Sequence, residues 1–491
     1  MPNSHPSPAG QAPVIVWFRR DLRLKDNPAM GAAIASGRPI ICTYIYDDVD
    51  ARRPFGGASN WWLDKSLRSL AADIKALGGR LVLRRGAPDN ILDDLIAETG
   101  AARLVWNRRY GAPEQALDKR IKASLTARGI EVESFNGSLL VEPWVLKTGS
   151  GSYYRVFSPF WRALQSRYRT PTPAPRPTRL AGSDVPSAPL DDWGLHPSQP
   201  DWSTGFDGEW QPGEAGAQSR LRRFLDENVS GYSDDRNRPD KPEATSGLSP
   251  HLAFGEIGPA QVWRAVQDRI AAGTIDEKPA YKFLSEVAWR EFSYVLLFHN
   301  PRLADANYKA DFDLMPWRDD EANLAAWKRG ETGYPIVDAG MRQLWATGTM
   351  HNRVRMIAAS FLTKHLLVDW RKGEAWFWDC LVDADPASNA ASWQWVAGSG
   401  ADAAPYFRIF NPIKQGQTFD ETGDYVRHWC PELANLPNKE LFSPWQADLS
   451  TLTEAGIKLG ETYPVPIIDH KFARERALAA YDHIRERRDA A

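Results

Sequence analysis

The segment VIVWFRRDLRLKDNPA at residues 14–29 decides the fold of the first part of the chain. Its five apolar residues, followed by charged ones, predict a buried strand that ends in a polar turn. Similar apolar runs recur at residues 40–45, 81–83, 104–106 and 131–135, and segments with helical spacing lie between them at residues 60–77, 89–97 and 113–127. Alternating strands and helices favour a parallel sheet covered on both faces. We therefore predict a five-stranded α/β domain over residues 14–140, after a disordered tail at residues 1–13.

A parallel sheet of this kind binds its ligand beyond the carboxyl ends of the strands. The usual phosphate-binding motifs are missing, because no GxGxxG follows the first strand and no GxxxxGKS or GxxxxGKT occurs in the chain. The first strand opens instead into the charged turn from Arg19 to Arg23. From composition alone, this turn can be interpreted either as a ligand contact or as a solvated loop.

The composition of the sequence changes at residues 171–200, which contain eight prolines and no apolar periodicity. This composition is typical of an extended connector, and we place a connector between two domains at residues 141–209. Beyond it helical spacing dominates, in segments at residues 219–228, 258–271, 278–298, 322–328, 339–347, 353–368, 374–380 and 388–396. Residues 210–491 are therefore predicted to form a large all-α domain.

Composition excludes several classes of protein. The chain has 491 residues, with 60 Lys and Arg against 62 Asp and Glu, so nucleic-acid binding would need a local basic patch. Its three cysteines, Cys42, Cys380 and Cys430, predict neither a disulfide framework nor a metal site. Without an export signal or a membrane-spanning apolar run, we expect a cytoplasmic protein. The 21 tryptophans are anomalous and suggest stacking or electron transfer.

One candidate group lies in the helical half at residues 284–292. Glu286, Trp289 and Arg290 are spaced to share one helix face. They either line a polar cavity with a stacking wall or form a surface ion pair beside a core tryptophan.

A second group is basic. Asn352, Arg355 and Met356 share a helix face, while Arg353 points elsewhere, and residues 342–372 carry six Lys or Arg against one Asp. This local charge is typical of a phosphate-binding surface, and a solvated basic face is the simpler alternative.

A third group surrounds a predicted helix start at Pro386. Asp383 and Asp385 precede it, and Asn389 and Trp393 form one stripe on the helix that follows. Paired carboxylates can bind a metal, but no further ligands cluster nearby and we expect none. The lone Asn either aims one hydrogen bond at a flat, buried ligand or is satisfied within a packed helix.

Two further segments offer hydroxyl groups, YSDDRNRP from Tyr232 and TSGLS at residues 245–249. A hydroxyl-rich turn before a helix suits a pyrophosphate, although an ordinary helix cap has the same composition.

Together these segments closely resemble the DNA photolyase/cryptochrome family from Val14 to about Leu436. The resemblance rests on the order and content of FRRDLRLKDNPA, VFSPFW, TSGLSPHLAFGEI, VAWREF, GYPIVDAGMRQLWATGTMHNRVRM, DWRKGEAWFW and WQWVAGSGADAAPYFRIFNP. It implies a Rossmann-like antenna domain followed by a helical catalytic domain that holds FAD in a folded conformation. Residues 440–491 match no informative motif.

Carried over position by position, the resemblance implies a set of FAD contacts. The phosphates and ribitol would contact Tyr232, Thr245, Ser246, Leu248 and Ser249. The flavin side of the site would comprise Trp289, Arg290, Asn352, Arg355, Asp383, Asp385 and Asn389, with Arg355 and Asp383 as an ion pair. Asn389 would face the flavin N5, where a neutral amide fits a reduced, anionic cofactor because no carboxylate repels the charge.

The resemblance also implies a substrate and a reaction. The substrate would be a cyclobutane pyrimidine dimer in UV-damaged DNA, flipped into a cavity whose catalytic positions are Glu286, Asn352, Met356 and Asn389. The DNA contacts would be Arg236, Glu286, Trp289, Asn352, Arg353, Met356, Trp395 and Arg408. Light would drive one electron from reduced FAD to the dimer, the ring would open and the electron would return, as in a deoxyribodipyrimidine photo-lyase, a carbon–carbon lyase.

Relatives that repair (6-4) photoproducts carry His at the positions of Asn352 and Met356. A (6-4) lesion needs proton transfer, which His supplies near neutral pH, so Asn and Met favour the cyclobutane dimer. Two other interpretations stay open: a blue-light cryptochrome photoreceptor on the same scaffold, and a nucleotide-binding α/β protein fused to a basic helical module.

The remaining implied features concern light and electrons. Trp393, Trp370 and Trp317 match a relay from the flavin to the surface, whereas Trp376, Trp378 and the seven tryptophans before residue 200 are expected to be packing. The antenna pigment would be folate (methenyltetrahydrofolate) or a deazaflavin. Glu114 is the one residue that matches the folate-binding positions of the family. We expect a monomer without an obligate protein partner, associated with the nucleoid when bound to DNA.

Overall fold

The computed structural model describes residues 11–49, 53–180, 184–402 and 407–489, so residues 1–10 of the predicted tail lie outside the described residues. A five-stranded sheet forms the first part of the chain, with the strands β1 Val14–Phe18, β2 Ile40–Tyr46, β3 Leu81–Arg85, β4 Arg103–Asn107 and β5 Glu131–Phe135. All neighbouring strands are parallel, in the order β3-β2-β1-β4-β5. The predicted α/β fold is confirmed, and the order reverses at β1, where open α/β sheets bind ligands.

The helices alternate with these strands and then dominate the rest of the chain. In chain order they are α1 Pro28–Ala35, α2 Gly57–Ala76, α3 Pro88–Thr99, α4 Ala112–Ala127, α5 Phe157–Arg167, α6 Phe206–Glu209, α7 Glu214–Arg223, α8 Tyr232–Asp235, α9 Ser249–Ala253, α10 Pro259–Ala271, α11 Glu277–His299, α12 Glu321–Arg329, α13 Pro335–Thr347, α14 Asn352–Ser360, α15 Trp370–Cys380, α16 Ser388–Ala397, α17 Pro412–Phe419, α18 Asp424–Trp429, α19 Asn438–Leu441, α20 Leu449–Glu454 and α21 His470–Asp489. The predicted all-α second part is confirmed, and its core includes seven tryptophans and phenylalanines from α12 to α19: Trp327, Phe361, Trp370, Phe377, Trp378, Trp393 and Phe442.

Two predicted helices differ from the observed ones. The segment predicted at residues 353–368 is α-helical only to Ser360 and continues as one π-helical turn, Phe361–His365. The segment predicted at residues 219–228 likewise ends in a π-helical turn, Phe224–Asn228. Apolar periodicity does not distinguish the two helix types over a single turn, so the sequence pattern predicted one continuous α-helix.

The proline-rich segment at residues 171–200 packs against the sheet domain. The Leu180 amide donates to the Leu77 carbonyl at 2.7 Å, the Ala188 amide donates to the Leu83 carbonyl at 2.9 Å, and the Trp193 side chain is buried. The predicted connector therefore includes ordered, packed chain, because apolar residues that are separated by prolines carry no periodic signal. It also contains helix α5, whose buried residues Phe157, Phe160 and Leu164 recur at helical spacing and could have predicted it.

The turn after β1 joins the sheet to the helical part and is not a solvated loop. Arg20 donates to the Ala384 carbonyl at 3.1 Å, and Arg23 donates to the carbonyls of Gly255 and Gly137 at 2.9 and 2.8 Å. Burial lowers the pKa of both guanidinium groups. Arg20 and Arg23 thus each donate to a carbonyl of the helical part, and Arg23 also donates to Gly137 of its own domain.

Helices α2 and α15 make a second contact between the two parts. A Cβ atom at Gly56, just before α2, would lie 2.3 Å from the Trp378 carbonyl oxygen, so only glycine fits there. In the described ranges no helix is both long and apolar enough to cross a membrane.

Candidate functional site

An ion pair joins α14 to the segment before α16. The Arg355 guanidinium donates to both carboxylate oxygens of Asp383, at 3.1 and 2.9 Å, and the Asp383 side chain is only 5% exposed. The structure therefore brings together the two residues for which the resemblance implied an ion pair. Bidentate pairs of this kind fix the plane of both groups.

Asp385 is committed to the fold. Its carboxylate accepts hydrogen bonds from the amides of Ala387 and Ser388 at 3.0 and 2.7 Å, and from the Tyr294 hydroxyl at 2.7 Å. The side chain thus satisfies free amides at the start of α16. This capping role is the one that the Asp–Pro sequence predicts.

Asn389 is the second residue of α16 and is buried. Its amide nitrogen donates to the Glu374 carboxylate at 2.8 Å and to the Glu374 backbone carbonyl at 3.1 Å. Glu374, on α15, was absent from the predicted site because only the tertiary fold brings it to Asn389.

The hydroxyl-rich turn lies between α8 and α9. Tyr232 is buried against the rings of Phe224 and Phe283, while Ser246, between Thr245 and Leu248, accepts from the Leu248 amide at 3.4 Å. Ser249 then begins α9.

The first candidate group forms contacts across three elements. Glu286, on α11, forms an ion pair with Arg236, which follows α8. Trp289, one turn further, stacks face to face on Phe157 with ring centroids 3.8 Å apart. One face of the Trp289 ring is therefore covered by protein, and only the other can contact a ligand.

Arg290, next to Trp289, is buried. It donates to the Ser138 carbonyl at 2.8 Å, and its Nε–H group is buried without a hydrogen-bond acceptor. A buried donor without an acceptor is costly in a folded protein and marks a place where an acceptor belongs.

A basic groove of about 1010 Å³ opens beside Arg353. Its walls come from the segment 407–419 and from one face of α21, and its lining comprises Arg353, Phe407, Arg408, Ile409, Phe410, Asn411, Lys414, Gln415, Phe419, Arg474, Leu478, Tyr481, Asp482 and Arg485. Arg353 donates to the Asn237 side chain at 2.9 Å and lies 4.3 Å above the Phe419 ring. Cations interleaved with aromatic rings are typical of nucleic-acid grooves.

Arg474 and Arg485 of the groove were absent from the predicted site. They lie in the segment 440–491, for which the sequence predicted no informative motif, but residues 474, 478, 481, 482 and 485 recur at helical spacing, which is the signal that could have found this face.

The predicted basic surface at residues 342–372 does not form as one patch. Arg342 pairs with Glu432 and Lys372 pairs with Asp319 and Glu321, whereas Lys364 is buried and donates to two carbonyls. Only Arg353 of this set lines the groove. The net charge of a segment does not report which cations are neutralised by distant partners.

His351 precedes α14 among several arginines. Its Nδ1 accepts from the Arg353 amide at 3.3 Å, and burial together with Arg353 and Arg355 lowers its pKa to about 4. The imidazole is therefore neutral at pH 7 and caps the helix. Asn352 and Met356 follow on α14.

The tryptophans fall into several environments. Trp393 is buried against Phe377, with ring centroids 4.9 Å apart, and its ring fits only because residue 373 is glycine, whose added Cβ would lie 2.2 Å away. Trp370 is buried and its Nε1 donates to Asn307 at 2.9 Å. Trp370 and Trp317 both pack in the apolar core, but among the described residues neither forms a stacked or edge-to-face ring pair, so direct stacking in series is not observed. Trp395, on α16, is half-buried.

Two tryptophans that are expected to be packing lie at the edge of the core. Trp376 is half-buried, packs against the core of the helical part and stacks on the exposed Trp345. Trp144 is 38% exposed and contacts the rings of Tyr110 and Phe298. Glu114 lies in the first turn of α4, beyond the carboxyl end of β4.

Comparison with known proteins defines the class. A family model described as DNA photolyase matches residues 14–177, and one described as the FAD binding domain of DNA photolyase matches residues 283–483. Among curated proteins, a deoxyribodipyrimidine photo-lyase from Agrobacterium fabrum is 55% identical over 480 residues, covering 97% of this chain and 98% of that protein. Cryptochrome-1 from Arabidopsis thaliana is 37% identical, covering 94% of this chain and 69% of that protein.

Among solved structures, a class III photolyase from Agrobacterium tumefaciens superimposes with a TM-score of 0.94 at 54% identity, covering 99% of this chain and all of that chain. The fold is that of a flavoprotein with an α/β domain and a helical FAD-binding domain. The chain belongs to the DNA photolyase/cryptochrome family, which confirms the resemblance seen in the sequence.

Proposed function

We propose that this protein is a light-driven DNA repair enzyme that splits cyclobutane pyrimidine dimers. The similarity to a protein named deoxyribodipyrimidine photo-lyase, over nearly the full length of both chains, carries the proposal. The contacts of the candidate site support it, and from them we propose a role for individual side chains.

The hydrogen-bond donors and acceptors of the candidate site fit FAD. The unsatisfied Nε–H group of Arg290 suits an anionic or carbonyl acceptor, and the Arg355–Asp383 pair offers a donor and an acceptor side by side for the polar edge of a flavin. The hydroxyl and backbone groups of Tyr232, Thr245, Ser246, Leu248 and Ser249 would hold the phosphates and ribitol. When bound, reduced FAD supplies the light-absorbing electron donor.

Asn389 contributes a neutral hydrogen-bonding group at the flavin. Its amide nitrogen is occupied by Glu374, so its oxygen is left to accept a hydrogen bond from the cofactor. A neutral acceptor avoids the repulsion that a carboxylate at this position would exert on an anionic flavin.

The lesion would lie between Glu286 and the uncovered face of Trp289, with Trp395, Asn352 and Met356 completing the cavity. Arg236 orients Glu286 through their ion pair, and Glu286 would hydrogen-bond the edge of a flipped base. Asn352 and Met356 stand where a lesion that needs proton transfer would require His, which favours a cyclobutane dimer. Arg353 and Arg408 would hold flanking phosphates.

The other assignments follow the family. We propose that residues 14–140 carry an antenna pigment, folate or deazaflavin, with Glu114 among its contacts, and that residues 141–209 connect them to a catalytic domain at residues 210–491. Trp393, Trp370 and Trp317 would relay electrons to the flavin. The enzyme would act as a cytoplasmic monomer on UV-damaged DNA.

Replacing Glu286 with alanine tests the assignment of the lesion site. We expect dimer repair under blue light to fall by about tenfold or more, because a charge-assisted hydrogen bond is lost, while bound flavin is retained. The matched control is Glu277→Ala, at an exposed position in the first turn of the same helix. Unchanged repair, or loss of flavin, would contradict the placement of Glu286, and flavin binding without repair by the parent protein would favour the photoreceptor.

A further inference from the structure

A chain of side-chain contacts runs from the α/β domain to Asn389. Arg53, before α2, donates from both terminal nitrogens to the two carboxylate oxygens of Glu374, at 2.8 and 2.6 Å. Its guanidinium carbon also lies 3.9 Å above the Trp378 ring, and the Trp378 Nε1 donates to the Pro54 carbonyl at 2.8 Å. Arg53 is therefore held in one place by an ion pair and by an aromatic face.

Glu374 in turn fixes which way the Asn389 amide points. Its carboxylate and its backbone carbonyl both accept from the Asn389 nitrogen, and an ionised carboxylate and a carbonyl can only accept. The NH2 group must therefore face Glu374, and the amide oxygen must face away from it. A rotated amide would set oxygen against oxygen.

We propose that Arg53 is a positioning residue that holds the Glu374 carboxylate against the Asn389 amide nitrogen and thereby keeps the Asn389 oxygen directed at the flavin. This inference rests on the proposed place of Asn389 beside the cofactor. An amide oxygen accepts from a protonated flavin N5 and repels an unprotonated one, so the orientation favours reduced flavin. The α/β domain would thus influence the cofactor through one arginine, across the domain interface.

Removing Arg53 has a defined chemical consequence. The Glu374 side chain is only 4% exposed, and without the bidentate contact from Arg53 its carboxylate is no longer fixed in position. When the carboxylate turns away, the Asn389 nitrogen keeps only the backbone carbonyl of Glu374 as an acceptor, and the amide becomes freer to rotate and present its nitrogen to the flavin. The reduced cofactor then loses its acceptor at N5.

The test uses the full-length protein with bound flavin and follows flavin absorbance during dark oxidation in air after photoreduction. We expect Arg53→Ala to oxidise about tenfold faster than the parent, since one hydrogen bond is lost, and Arg53→Lys to lie between them because it keeps the charge without the bidentate geometry. The matched control is Arg85→Ala, which removes an arginine of the same domain with a comparable ion pair to Asp48 and a ring contact to Tyr46. It should oxidise like the parent.

The Arg53→Ala substitution is also made in a second variant. This comparison distinguishes positioning of Asn389 from a general role of Arg53 in holding the two domains together. In a Glu374→Gln protein the carboxylate is already gone, so Arg53→Ala should not accelerate oxidation further. Oxidation of Arg53→Ala at the parent rate, or an undiminished effect in the Glu374→Gln background, would overturn the inference. An Asn389→Ala protein that oxidises like the parent would instead contradict the proposed place of Asn389.

Discussion

Replacing Arg474 and Arg485 with alanine tests whether the groove beside α21 binds DNA phosphates. Both arginines lie on the face of α21 that lines the groove, eleven residues and therefore about three helical turns apart. Each phosphate contact that is lost should make the plot of log affinity against log salt concentration shallower by ~0.9. The double variant should therefore lose ~1.8 from the slope.

The size of each single effect follows from the contacts. At 0.1 M salt, a loss of 0.9 in slope corresponds to roughly eightfold weaker binding per cation. Asp482 lies 3.6 Å from the Arg485 guanidinium and neutralises part of its charge, so Arg474→Ala should weaken binding more than Arg485→Ala. Arg487→Ala is the matched control, because it removes the same charge from the opposite face of the same helix.

The assay is fluorescence anisotropy with a dimer-containing oligonucleotide, titrated at several salt concentrations. A slope that is unchanged in the double variant, or one that falls as much in Arg487→Ala as in Arg485→Ala, would refute the reasoning. The first result would show that α21 does not contact DNA. The second would show that the arginines of α21 act only through the overall charge of the protein.

Three other predictions concern the flavin site, the domain contacts and the relay. Arg355→Ala removes a charged donor from the polar edge of the proposed flavin site, and the loss of such a hydrogen bond costs about 3 kcal/mol, so FAD affinity measured by flavin fluorescence should fall roughly 100-fold; unchanged affinity would place the pair away from the cofactor. Burial raises the pKa of Glu291 to about 7, while Arg290 and the amides of Leu140 and Val141 oppose the shift. The folded protein binds the proton of the Glu291 carboxyl more tightly than the unfolded chain does. The contribution of this group to the free energy of unfolding is therefore complete below pH 4.5 and is lost as the pH rises through 7. Glu291→Gln should therefore gain up to about 3 kcal/mol relative to the parent between pH 5 and pH 8 in thermal unfolding, and a constant difference would contradict this. Trp370→Phe should photoreduce its flavin far more slowly than the parent in a steady-illumination absorbance assay, and a normal rate would break the proposed relay.

Much of the fold follows from local pattern. Strand β5 was predicted at its observed bounds, and the buried strands β1 and β2 within one residue, because an apolar run that ends in turn residues has few alternatives. Helix α1 was missed, since its eight residues lack an amphipathic stripe, although the side chain of Asn27 caps it by accepting from the Met30 amide.

The tertiary ion pairs could not be predicted from spacing. Arg236 and Glu286 are separated by 50 residues, and Arg53 and Glu374 by 321, so no helical or strand period relates them. The turn from Arg19 to Arg23 illustrates the same limit. Its charges indicate a polar environment, but only the folded chain shows which acceptors they meet: carbonyls of the helical part for Arg20, and the Asp118 carboxylate of the same domain for Arg19.

The most direct test of the central claim is repair of defined lesions by the purified, flavin-reduced protein under blue light. Two oligonucleotides are compared, one with a cyclobutane pyrimidine dimer and one with a (6-4) photoproduct, and restored thymines are quantified by chromatography with a dark control. The account predicts light-dependent restoration from the dimer and none from the (6-4) lesion. Repair of neither lesion would contradict the enzymatic function, and repair of the (6-4) lesion would contradict the roles given to Asn352 and Met356.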